Sequence, residues 1–212
     1  MFDFSSSPLP VRPELPAAFR HVWHRLAAPG TWWTGCERVS IASLARAAYD
    51  SGESIADSDL PAAAAEAVGS LAHEPSAVTQ ERIRNWESRG LYANRYVELV
   101  GVVAQLTAVD TFHRALGLEL ERLPDPQPGE PSQQLPDTAA TLTKAWVPMV
   151  GPPTIPTSLS AVPAEMAALE TLHGPMYLTY EEMGDPAITH GLTRAQMELV
   201  ASRTSAINEC FF

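Results

Sequence analysis

The sequence predicts an all-α protein, and three observations carry that prediction. Apolar residues recur at helical spacing in several long segments, whereas the apolar–polar alternation of half-buried strands is absent. Helix-capping signals precede those segments, as at Thr34 followed by Glu37. Proline is densest in residues 123–162, between two periodic segments, as expected where it blocks helix.

Residues 14–28 read as a helix with Phe19, Val22, Trp23 and Leu26 on one face. The stretch 29–33 (PGTWW) breaks it, and Thr34 caps a second helix bearing Val39, Ile41, Leu44, Ala45 and Ala48, which frays near Gly52. Residues 61–73 predict an alanine-rich helix, and 76–89 a further one anchored by Ile83 and Trp86. Residues 92–116 form the longest and most apolar helix, with Gly117 as its stop, and should lie at the centre of the core. Residues 123–162 are dense in proline and read as an extended linker, with Trp146 and Met149 docking back on the helices. Helical pattern resumes over 163–182, and a last helix begins near Thr193.

The chain has 212 residues, enough for an ample core, and a net charge of −11. Lys144 is its only lysine and the arginines are scattered, so no basic face is offered to nucleic acid or to an anionic membrane surface. No run approaches the length of a spanning helix and no secretory signal opens the chain, so a cytoplasmic protein is expected. Two cysteines, Cys36 and Cys210, are too few for a disulfide scaffold or a cysteine-ligated metal cluster. Neither a metal nor a cofactor is expected. His21 and His24 share a helix face without a third ligand, and Cys36 reads as a small packed residue. Asp110 and His113 are spaced to touch on the apolar helix and read as a satisfied buried pair.

Displaced by 159 residues, TGCERVSIASLARAAYDS (34–51) falls on TRAQMELVASRTSAINEC (193–210), with Thr34, Ala42, Ser43 and Ala47 repeated identically. The register pairs the two capping threonines and suggests two copies of one helical unit.

The segment LTRAQMELVASRTSAINECFF (192–212) resembles the core of the alkylhydroperoxidase D / carboxymuconolactone decarboxylase-like superfamily. PGTWWTGCERVSIA (29–42), YVELVGVVAQLTAVDTFHRALG (96–117) and AWVPMV (145–150) resemble its two-repeat members. The redox members carry a Glu, eleven residues, Cys-x-x-Cys, three residues and a His, and Glu198 and Cys210 have that Glu-to-Cys spacing. The resemblance implies a helical bundle of two related repeats. The first would occupy 1–122 and the second 163–212, with the second interrupted inside its redox motif. In the family pattern the second Cys attacks peroxide, the first resolves it, and Glu and His relay protons. Here the second Cys and the His would fall at positions 213 and 217, past Phe212, so only Glu198 and the resolving-type Cys210 carry over. The first copy places Val39, Ser51, Ser54 and Ser58 at the four motif positions and retains none of the chemistry.

The resemblance thus implies a thiol-dependent, peroxidase-type oxidoreductase, impaired as these residues stand. Its partners would be a peroxide or other small-molecule substrate, a thiol reductant and further copies of the chain. The alternative is a non-catalytic helical protein of the same fold that binds a small molecule or oligomerises. A decarboxylase-type site would need a polar His/Glu pocket, which the sequence does not identify.

Overall fold

The computed structural model describes residues 1–52, 58–154 and 156–208. Among these residues seven α-helices follow one another: α1 Leu15–Ala27, α2 Gly35–Ser51, α3 Ala62–His73, α4 Gln80–Ser88, α5 Ala93–Ala115, α6 Pro163–Met176 and α7 Arg194–Ile207. Single 3-10 turns occupy Pro75–Ala77 and Glu182–Gly184, and the only pairing of extended backbone among the described residues is one bridge between Thr141 and Met149. The all-α prediction therefore holds. Among the described residues no helix is long and apolar enough to cross a membrane.

Local chemistry explains most boundaries. The Thr34 side chain accepts from the Glu37 N–H while the Glu37 carboxylate accepts from the Thr34 N–H, so two of the unpaired donors at the start of α2 are satisfied. Thr193 and Gln196 repeat this arrangement at α7. Thr79 caps α4, which makes that helix start later than the apolar pattern suggests. α6 is shorter than its pattern: Pro175 sits in its last turn, and Tyr177 leaves helical geometry at φ −139°.

α5 is the hub. Leu99, Val102, Leu106 and Val109 are buried along it, and it packs on α1, α2, α3 and α6. Phe19, Trp23 and Trp33 are fully enclosed around it. The indole of Trp23 donates to the Arg122 carbonyl and that of Trp33 to the Arg95 carbonyl. At the end of α5, Phe2, Phe4, Phe19 and Phe112 pack with the His113 ring, which ties the N-terminal arm to the bundle.

Among the described residues no regular element forms between α5 and α6. The chain there runs along the α1–α2 connection, where Gln127 N–H donates to the Ala27 carbonyl, Ser132 to Gly30 and Gln133 to Thr31. Met149 is buried as expected, but Trp146 stays half exposed, and Leu159, Ala161 and Val162 provide most of the docking surface against Val97. α6 then returns to α1 and α5. α7 buries a single residue, Met197.

Candidate functional site

The residues singled out for redox chemistry meet different fates. Glu198 lies in the second turn of α7, with its side chain 47% exposed. Its Oε1 accepts from the Tyr177 hydroxyl at 2.7 Å and from Arg194 Nε at 2.6 Å. Tyr177 follows α6 and Arg194 opens α7, so Glu198 closes the corner between these helices. The hydrogen bond from Tyr177 and that from Arg194 hold its carboxyl below the usual range, so it is ionised at neutral pH. Burial, and then the bond to Glu198, raise the Tyr177 phenol. No described residue donates to the second oxygen of Glu198. Cys210 and Ser54 lie outside the described residues. Of the first-copy positions, Val39 is half-buried on α2 and Ser51 is that helix's last residue, far in sequence from the Glu198 corner.

Two readings of single residues need correction. Cys36 is exposed and free, because the second position of α2 faces away from the bundle. Asp110 and His113 do not form one pair. Asp110 takes both Arg46 Nε at 2.8 Å and Arg46 Nη2 at 2.7 Å, while His113 Nδ1 meets the Val109 carbonyl at 2.8 Å. His21 and His24 lie on the exposed side of α1. Among the described residues no three His, Cys, Asp or Glu side chains gather as a metal-binding group.

A second constellation escaped sequence reasoning. Arg38 of α2, Glu98 of α5 and Glu165 of α6 are buried together at 2%, 0% and 0% exposure. Arg38 Nη1 donates to Glu98 Oε1 at 2.5 Å and to Glu165 Oε1 at 2.9 Å. Arg25 of α1 adds a donor to Glu165 Oε1 at 2.9 Å, and Gln105 Nε2 reaches Glu165 Oε2 at 2.9 Å. The Trp32 backbone N–H donates to Glu98 Oε2 at 2.6 Å. Four helices and the α1–α2 connection therefore converge on two carboxylates. Burial raises the Glu98 carboxyl despite the attraction of Arg38, and neighbouring Glu165 pushes the same way. Burial opposes charge on Arg38, but Glu165 and Glu98 outweigh it and raise its pKa.

This cluster is closed. A Cβ on Gly30 would fall 1.8 Å from Glu98 Oε1, and one on Gly101 would fall 2.8 Å from Glu165 Oε2. The backbone has approached the carboxylates as nearly as glycine permits, which leaves no room for a substrate. The cluster is therefore a structural tie. Its signal in the sequence is a charge inside an apolar stripe: Arg38 sits in line with Ile41, Ala42 and Ala45, and Glu165 with Ala168 and Leu172.

Beside Tyr177 a groove of about 430 Å³ opens between the N-terminal arm, the ends of α5 and α6, and α7. Its walls are mainly apolar, with Leu15, Phe112, Met176, Met197 and Val200 among them. Comparison with known proteins adds no name to either site: no family model matches the chain, and neither a curated protein nor a solved structure matches it.

Proposed function

We propose that the chain is an alkylhydroperoxidase D-like unit in which Glu198 is the carboxylate of a thiol-dependent peroxide-reducing site and Cys210 its resolving thiol. The observation supporting this reading is the state of Glu198. It is ionised, one oxygen is fixed by Tyr177 and Arg194, and no described residue donates to the other, which could orient an imidazole. A carboxylate so held favours the imidazole tautomer that takes a proton from a thiol.

In the reaction, an attacking thiolate bonds to the distal oxygen of a hydroperoxide, the O–O bond breaks, and the alcohol leaves with a proton from the imidazole. The resulting sulfenic acid is attacked by the Cys210 thiol, which releases water and forms a disulfide. An external dithiol then reduces that disulfide. Of this set, Glu198 and Cys210 lie within the 212 residues.

The test is a version of the chain extended to place a cysteine at position 213 and a histidine at position 217. Peroxide treatment should form a disulfide through Cys210, and dithiol-dependent peroxide consumption should appear. Glu198→Gln in that background should slow consumption by about a hundredfold or more. Absence of both disulfide and turnover would overturn the reading. The alternative, a non-catalytic binding protein, is favoured by one observation: an apolar groove opens beside Tyr177.

A further inference from the structure

We propose that Tyr177 is a positioning residue for Glu198: together with Arg194 it decides which carboxylate oxygen is offered to the reacting imidazole. This inference rests on the peroxide-reducing reading of Glu198. Three features of the corner between α6 and α7 carry it.

The first is how Tyr177 is placed. Pro175, which has no N–H, sits in the last turn of α6, and Tyr177 leaves helical geometry at φ −139° and ψ −88°. Its own N–H donates to the His173 carbonyl at 2.8 Å, so the departure stays anchored. The His173 ring meets the phenol ring edge-on with centroids 5.7 Å apart, and His173 Nδ1 is 2.6 Å from the Leu178 carbonyl. The phenol is thus aimed by its neighbours at the end of α6. Burial, and then Glu198, raise it, so it keeps its proton and remains a donor at neutral pH.

The second is how Arg194 is placed. On a helix, a cation four residues before a carboxylate is the weaker of the two orders. Local helix pairing is therefore a poor account of the 2.6 Å contact from Arg194 Nε to Glu198 Oε1. The guanidinium is seated instead by the turn that precedes α7. Its Nη2 donates to the Met183 carbonyl at 3.1 Å, and its Nη1 lies 3.4 Å from the carbonyls of Glu182 and Asp185. A donor held in this way stays in place for the carboxylate to meet.

The third is the pattern on the carboxylate itself. Where Arg46 holds Asp110, the guanidinium takes both oxygens, Nε to Oδ2 and Nη2 to Oδ1. That fork is the stronger arrangement for a tie alone. At Glu198 the Tyr177 hydroxyl and Arg194 Nε converge on Oε1, and no described residue donates to Oε2. The side chain is 47% exposed, so a further partner has access to it. Two donors on one oxygen fix the rotation of the carboxylate while the second oxygen keeps its acceptor capacity, as orienting an imidazole requires.

The experiment has two arms. In the 212-residue chain, the Glu198 carboxyl is titrated by carbon-13 NMR, its signal assigned with Glu198→Gln. Tyr177→Phe removes the bond that does most to lower this carboxyl, so its pKa should rise, and Arg194→Gln should raise it as well. Tyr177→Phe deletes a single oxygen, so helix content should be unchanged. In the chain extended with a cysteine at position 213 and a histidine at position 217, the pH profile of kcat/KM should have an acid limb that Glu198→Gln removes. Tyr177→Phe should move that limb to higher pH and lower kcat/KM on it about tenfold. A corner that only braces the fold would lower the rate equally at every pH and leave the limb in place. A Glu198 titration unmoved by Tyr177→Phe, or a limb that stays where it is, would overturn the positioning role with the peroxide reading intact. An extended chain without turnover would overturn that reading, and the role with it.

Discussion

Arg38 shows how much one buried charge can govern. Its guanidinium is shared by Glu98 and Glu165, and neither carboxylate has water to replace it. Removing one partner of a buried ion pair typically costs about 3–5 kcal/mol, because the remaining charge is stranded. Arg38→Ala should therefore lower stability by about that amount in urea unfolding. Arg122→Ala, which breaks the exposed pair with Asp125, should change nothing measurable. Glu98 adds a pH dependence. Its carboxyl is raised above 4.5 in the folded chain, so the native state holds that proton more tightly than the unfolded state does. The resulting stability is fully present below pH 4.5 and is lost as pH rises through the folded value. Glu198, whose carboxyl is lowered, has the opposite sign and loses its contribution as pH falls. Urea midpoints measured across this range should therefore fall less with rising pH in Glu98→Gln than in the wild type. Parallel profiles would show that Glu98 does not titrate in this way.

At the scale of elements, α2 and α7 start with the same capping box yet are held very differently. α2 buries Ile41, Ala42, Leu44, Ala45 and Ala48 against the bundle, whereas α7 buries only Met197. Helical stability in proteins comes mostly from packing an apolar face, so the cap of α7 matters locally and that of α2 globally. Thr34→Ala should cost about 1 kcal/mol of global stability. Thr193→Ala should leave the urea midpoint nearly unchanged while amide exchange across Arg194–Ile207 accelerates. The proline-rich segment was legible as lacking helix, because proline removes a donor and clashes with the preceding turn. Its docking was legible only in part. Met149 is enclosed at 4% exposure, so Met149→Ala should cost about 2–5 kcal/mol in the same unfolding assay. Trp146, the larger anchor by sequence, is half exposed, and side-chain size alone could not distinguish them.

For the whole molecule, α6 packs on α1 and α5 and sends Glu165 into the buried charge cluster, so the residues on both sides of the proline-rich segment share one interior. Trp23, Trp33 and Trp86 all lie in that interior. Their fluorescence and the far-ultraviolet circular dichroism should lose native signal in one coincident transition, with a helical spectrum beforehand. Separate transitions would mean that α6 folds apart from the earlier helices.

The sequence by itself determined the all-α class, the positions of most helices, the Thr34–Glu37 capping box and the central place of α5. These follow from periodicity and from hydrogen bonds between residues three or four apart, which are local. Tertiary structure alone decided that Arg38, Glu98 and Glu165 would meet across as many as 127 residues of chain, that Asp110 would choose Arg46 over His113, and that Tyr177 would hold Glu198. The physical reason is the same in each case. Which group comes near another depends on how the helices pack rather than on spacing along the chain, and at Arg38 and Asp110 a charge removed from water must also find a partner.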